Sequence, residues 1–131
     1  MLQIEIYEEF SHWLDDLFEN NTIPEDAQAF CFNLYEESAE DCIYAAQLVA
    51  SGEFDETDDS GEWACEEVWS SEENIFCIDT SDEDEKGWQH ARDLYREMVE
   101  EYIKSGTHRR ILTSLKGIGI GFVDGELELI K

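Results

Sequence analysis

Between Met1 and Glu85 the chain carries 27 Asp and Glu residues and not one Lys or Arg. Residues 86–131 reverse the balance, holding all eight basic residues beside seven acidic ones. The formal net charge of −26 is therefore concentrated in the first two-thirds of the sequence. Self-repulsion on that scale opposes compaction, so folding rests on the apolar residues set between the carboxylates. They suffice: 42% of the 131 residues are hydrophobic, with four Trp, five Tyr and seven Phe. Such a composition argues against wholesale disorder. The length matches one acidic domain, 1–131, that buries about two-thirds of its unfolded surface without metal or disulfide.

Solubility alone asks for a net charge of only about 2–8 in a small domain, so an excess of this size points to a use. The sign excludes some uses. Phosphate backbones are drawn in by Lys and Arg, and the first 85 residues supply none; no nucleic-acid partner is expected. Anionic membrane surfaces are disfavoured for the same reason. A halophile-type surface would spread its acid along the whole chain, whereas the last third here is balanced. The opening MLQIEIYEEF has neither a basic start nor an apolar h-region, and no apolar run approaches the length of a membrane span. A cytoplasmic location is expected. Cys31, Cys42, Cys65 and Cys77 form no C-x-x-C pair and read as structural thiols in a reducing compartment.

Periodicity divides the chain into elements. Ile6, Phe10, Trp13, Leu14 and Leu17 recur at helical spacing over residues 3–20, with Asn20-Asn21 and Pro24 ending the helix. In 27–36, Phe30, Phe32 and Leu34 alternate with Cys31, Asn33 and Tyr35, which favours a strand over the competing helix beginning at Pro24. Residues 42–50 read as a second strand joined to it by a hairpin connection, and 74–79 as another short one. A short strand or turn is expected at 62–69. A second long helix is expected over 82–105, capped by Thr80 or Ser81 with Glu83 or Asp84 closing a capping box. It buries Trp88, Ala91, Tyr95, Met98 and Tyr102 and ends at Gly106. A shorter helix capped by Thr107 follows. Asp124-Gly125 between alternating flanks signals a C-terminal hairpin, with Ile118, Ile120 and Phe122 or Val123 facing Leu127, Leu129 and Ile130. The expected fold is α+β, an antiparallel sheet with a C-terminal β-hairpin and two main helices packed against it.

Motifs of catalysis are sparse. Gly117, Gly119 and Gly121 alternate inside a strand rather than bridging strand and helix, so close backbone approach explains them better than phosphate binding. Glu56, Asp58, Ser60, Gly61 and Glu67 fall at calcium-loop positions, but the first is Glu and no helix pair flanks them. No metal and no cofactor is expected. His12, His90 and His108 show no zinc or triad spacing. Nothing in the pattern nominates a catalytic residue.

What remains is acid interleaved with aromatics. Asp55, Glu56, Asp58, Asp59, Glu62, Glu66, Glu67, Glu72 and Glu73 surround Trp63 and Trp69, a pattern in which aromatics anchor and carboxylates pair with a basic partner. Against this stands a solvated charge run with both tryptophans turned into the core. The stretches FDETDDSGEWACEEVW and GIGIGFVDGELELI resemble those of small acidic bacterial immunity proteins. That resemblance implies neutralisation of a cognate toxin in the cytoplasm, and a cationic nuclease is the fitting toxin type, since its cleft must receive phosphates. The alternatives are a DNA-mimic antirestriction or anti-CRISPR inhibitor and an acidic structural domain.

Overall fold

A computed structural model describes residues 4–38, 43–55, 57, 66–71, 74–79, 88–122 and 128–130. Helix α1 spans Ile4–Asn20 and is followed by strands β1 (Ala29–Ser38), β2 (Ile43–Ser51), β3 (Glu67–Ser70) and β4 (Phe76–Asp79). Helices α2 (Trp88–Ser105) and α3 (Arg109–Thr113) precede β5 (Gly117–Phe122) and β6 (Glu128–Leu129).

Both long helices form because their apolar residues fall on one stripe. In α1, Phe10, Trp13, Leu14, Leu17 and Phe18 are buried, while Glu8, Glu9, Asp16 and Glu19 are exposed. Its end is closed by asparagine side chains: Asn20 Nδ2 donates to Asp16 O (2.8 Å) and Asn21 Nδ2 to Leu17 O (3.0 Å). These bonds satisfy carbonyls that a helix terminus leaves without partners. Ala91, Leu94, Tyr95, Met98, Val99 and Tyr102 make the buried stripe of α2. The proposed cap at Thr80 or Ser81 lies outside the described residues. Gly106 follows α2 as expected, but for a different reason. A Cβ there would stand 2.6 Å from the Tyr102 ring, so close packing demands the glycine. The N-cap of α3 is His108 rather than Thr107, with no side-chain cap bond.

The sheet departs from the antiparallel expectation. Its six strands run β3-β2-β1-β5-β6, with β4 also on β2. β1 and β2 pair antiparallel along their whole length, but β1 and β5 are parallel, Phe30 opposite Ile118 and Phe32 opposite Ile120. A parallel pair requires a long crossover, usually helical, and α2 with α3 lies in that connection. The far edge of β2 is shared: β4 covers Ile43–Ala46 and β3 covers Val49–Ser51.

One face of the sheet carries Phe30, Phe32, Leu34, Ala46, Leu48, Ile118 and Ile120 into the core shared with all three helices. Rings from both layers interlock, with Phe10 5.5 Å from Phe76 and Phe18 5.8 Å from Phe30. The opposite face is lined by Ala29, Cys31, Ala45, Val49 and the three β5 glycines, and it too is buried. The Phe54 ring occupies the space a Cβ on Gly117 would need. The glycine therefore admits an aromatic from the acidic segment, the close approach anticipated for these residues. Cys31 is buried there with its Sγ donating to Asn33 Oδ1 (3.1 Å), whereas Cys77 on β4 is exposed.

The β5–β6 hairpin exists, in a register one residue from the one expected. A two-residue turn at Asp124-Gly125, which lies outside the described residues, would set Ile120 opposite Leu129. The observed pairs are Gly119 with Leu129 and Ile120 with Glu128. Partners share a face, so this register turns Leu129 away from the helices, and it is 37% exposed. It brings Glu128 towards α2, where its carboxylate meets Arg96 Nη1 at 3.0 Å and Arg92 Nη1 at 3.8 Å.

Candidate functional site

Among the described residues, the elements drawn from the acidic first two-thirds are grouped by the strand order. Elements α1 and β1 to β4 come from residues before 80, and they build the β3/β4 side of the sheet with α1 packed near β4. Elements α2, α3, β5 and β6 come from the balanced part, with α2 and α3 resting on β5. A different order would have mixed the two halves. No Asp, Glu, Lys or Arg is buried among the described residues. Among the described residues, the uneven charge of the chain is thus carried by strands at different ends of the sheet order.

Of the residues singled out from sequence, Asp55, Glu66, Glu67 and Trp69 are described. Asp55 is exposed and accepts two bonds from Thr57, from Oγ1 at 2.6 Å and from N at 3.0 Å. The Thr57 hydroxyl, seconded by its backbone N–H, holds the Asp55 carboxyl below its ordinary value. The segment leading to it is tied down by Ser51, whose Oγ donates to Glu53 O (2.9 Å). Glu66 and Glu67 are exposed at the start of β3. Trp69 is half-buried and packs against the core, a position between the anchor and the interior readings. Glu56, Asp58, Asp59, Glu62, Trp63, Glu72 and Glu73 lie outside the described residues.

Beside Trp69 is a cleft of about 540 Å³, within the size range of small-ligand sites, about 300–1,000 Å³. Leu17 of α1 and Asn21 just beyond its end form one wall, and Glu67, Trp69, Ser71 and Asn74 form the other. The second wall is rigidly built. Ser71 Oγ accepts from Leu48 N (3.1 Å), Ser71 N donates to Leu48 O (2.8 Å), and Asn74 N donates to Ser71 O (2.9 Å). Trp13 Nε1 donates to Asn74 O (3.2 Å), so α1 and this segment are fastened to each other. Asn21, Ser71 and Asn74 are not legible as cleft residues in the sequence, since isolated polar residues at element ends carry no periodic signal. The α1 acids Glu8, Glu9, Asp16 and Glu19 are legible as a polar helix face, but nothing in the sequence connects them with β3.

A polar strap joins α1 to the α2–α3 corner. Tyr102 Oη donates to Asp15 Oδ1 (2.6 Å) and accepts from His108 N (3.1 Å), and His108 Nε2 lies 3.4 Å from Glu19 Oε2. Burial, then the bond to Asp15, pushes the Tyr102 phenol above its ordinary value. The phenol therefore stays neutral and donates to a carboxylate across two helices, an arrangement that positions helices. Groups of three or more His, Cys, Asp or Glu suited to a metal do not occur among the described residues. No described helix is long and apolar enough to cross a membrane.

No protein-family model matches the chain, and neither the curated proteins nor the solved structures contain a significant match.

Proposed function

We propose that this protein is a binding and inhibitory protein that turns an anionic surface towards a basic protein partner, acting as an immunity protein that neutralises a cationic, nuclease-type toxin. The observation that carries the reading is the segregation of charge by strand order: the Lys- and Arg-free part of the chain builds the β3/β4 side. Carboxylates from α1, the segment after β2, and β3 then act on an approaching cation in the same sense. A field of this kind accelerates encounter, by about 10–10³-fold in known cases, and rapid capture is what an inhibitor of a toxic enzyme requires. A nuclease cleft, built to receive phosphates, presents the complementary potential.

The test is capture of the partner from the native cell on the full chain, followed by its identification and measurement of association at increasing salt. A basic protein is expected, with an association rate that falls steeply between low and physiological ionic strength. Replacing Asp55, Glu66 and Glu67 together by Lys should slow association while leaving the circular dichroism spectrum intact. An acidic or neutral partner, or an association rate insensitive to both salt and charge reversal, would remove the electrostatic reading.

A further inference from the structure

The cleft between α1 and β3 has a composition that selects its occupant. Its described lining contains no Lys, Arg or His, so no described side chain there compensates an anion. Acceptors dominate instead: the Glu67 carboxylate, which is exposed and has no cation beside it among the described residues, and the side-chain oxygens of Asn21 and Asn74. Asn21 Nδ2 is committed to Leu17 O, which fixes the amide and leaves its oxygen available to the cleft. Trp69 contributes the partly exposed aromatic ring. The lining segments all come from the part of the chain before residue 86, which has no Lys or Arg of its own.

We infer that this cleft receives an arginine side chain of the basic partner, the guanidinium stacking on Trp69 and pairing with Glu67. The inference rests on the proposal of a basic protein partner and names the point at which that partner is read. Arginine fits better than lysine for two reasons. Its planar fork can donate to a carboxylate and to an amide oxygen at once. It is also more weakly hydrated and lies flat on an aromatic face, where lysine remains a strongly hydrated point charge. The fixed wall of the cleft lowers the ordering cost of such a contact.

Titration of the ¹⁵N-labelled full chain with L-arginine amide tests this, with L-lysine amide and L-norleucine amide as comparisons. Saturable shifts are expected at the Trp69 indole N–H and at the side-chain amides of Asn21 and Asn74, with arginine amide binding more tightly than lysine amide and norleucine amide not binding. Glu67→Gln and Asn74→Ala alter exposed side chains and should each weaken arginine amide by about 3–10-fold, the net worth of one ordinary hydrogen bond at an exposed position. Non-saturating shifts spread over the acidic surface, or unchanged affinity in E67Q, would overturn the assignment. Repeating the variants against the captured partner separates the two proposals. Wild-type partner affinity in both variants sinks the cleft and spares the inhibitor reading. Specific arginine amide binding without any basic partner does the reverse.

Discussion

Tyr95 is fully buried, and its hydroxyl is placed to donate to two main-chain carbonyls, Phe76 O at 2.7 Å and Tyr44 O at 2.9 Å. One phenol thus fastens α2 to β2 and to β4. Tyr95→Phe leaves those carbonyls without this donor in an apolar setting and should cost about 1–3 kcal/mol in urea denaturation. The same residue predicts a pH dependence. Burial raises the Tyr95 phenol far above its ordinary value. Its contribution is therefore fully present below the unfolded pKa, about 10, and is lost as pH rises beyond it, because only the unfolded chain ionises there. Stability should fall above about pH 10, less steeply in Tyr95→Phe; an equal slope in both proteins would assign the effect to other groups. Gly117 supplies the second residue-scale prediction. A methyl group there meets the Phe54 ring, so Gly117→Ala should cost about 1–3 kcal/mol through overpacking, and Phe54→Leu, which makes room, should restore part of it.

At the scale of elements, the long helices differ from the hairpin in what holds them. α1 is held by burial: Leu14 is fully enclosed, and Leu14→Ala should cost about 2–5 kcal/mol. β6 is held by main-chain pairing and by the Glu128 pairs with Arg92 and Arg96, groups that remain 25–40% exposed. Exposed ion pairs contribute about 0–1 kcal/mol, so Glu128→Gln should leave global stability nearly unchanged while raising amide exchange at Ile130, whose N–H bonds Ile118 O. Equal losses in the two variants would contradict this division. The contrast also explains which elements could be read in advance. α1 and α2 repeat their apolar residues often enough for period 3.6 to be unmistakable, and β1 alternates Phe30, Phe32 and Leu34. β3 and β4 are four residues each, too short for a period to declare which strand they join. That both would share one edge of β2 had no sequence signal. The β6 register is illegible for a related reason: the pair Asp124-Gly125 announces a turn, but the pairing of Gly119 with Leu129 and Ile120 with Glu128 is settled between elements.

The whole molecule carries a charge whose cost can be measured. If the carboxylates of α1, the segment after β2, and β3 repel across one side, added salt should screen them. The melting temperature should then rise by about 3–6 °C between 20 and 500 mM NaCl, equivalent to about 1 kcal/mol for a chain of this size. A melting temperature that falls or stays level would mean that the acids are too far apart to interact. Of the residues that line the cleft, Glu67 and Trp69 are the ones that stand out in the sequence. The sequence reveals neither the cleft nor its α1 wall, since Leu17 and Asn21 lie about fifty residues from β3 along the chain.

The chain's own order of residues determined the two long helices, the first hairpin, the apolar stripes and the uneven charge, because each depends on neighbours within a few positions. Tertiary structure alone decided that β5 lies parallel beside β1, that Phe54 turns in onto Gly117, and that the strands of the acidic and balanced parts fall at different ends of one strand order. Those outcomes depend on which distant surfaces bury each other best, and local spacing does not encode that competition.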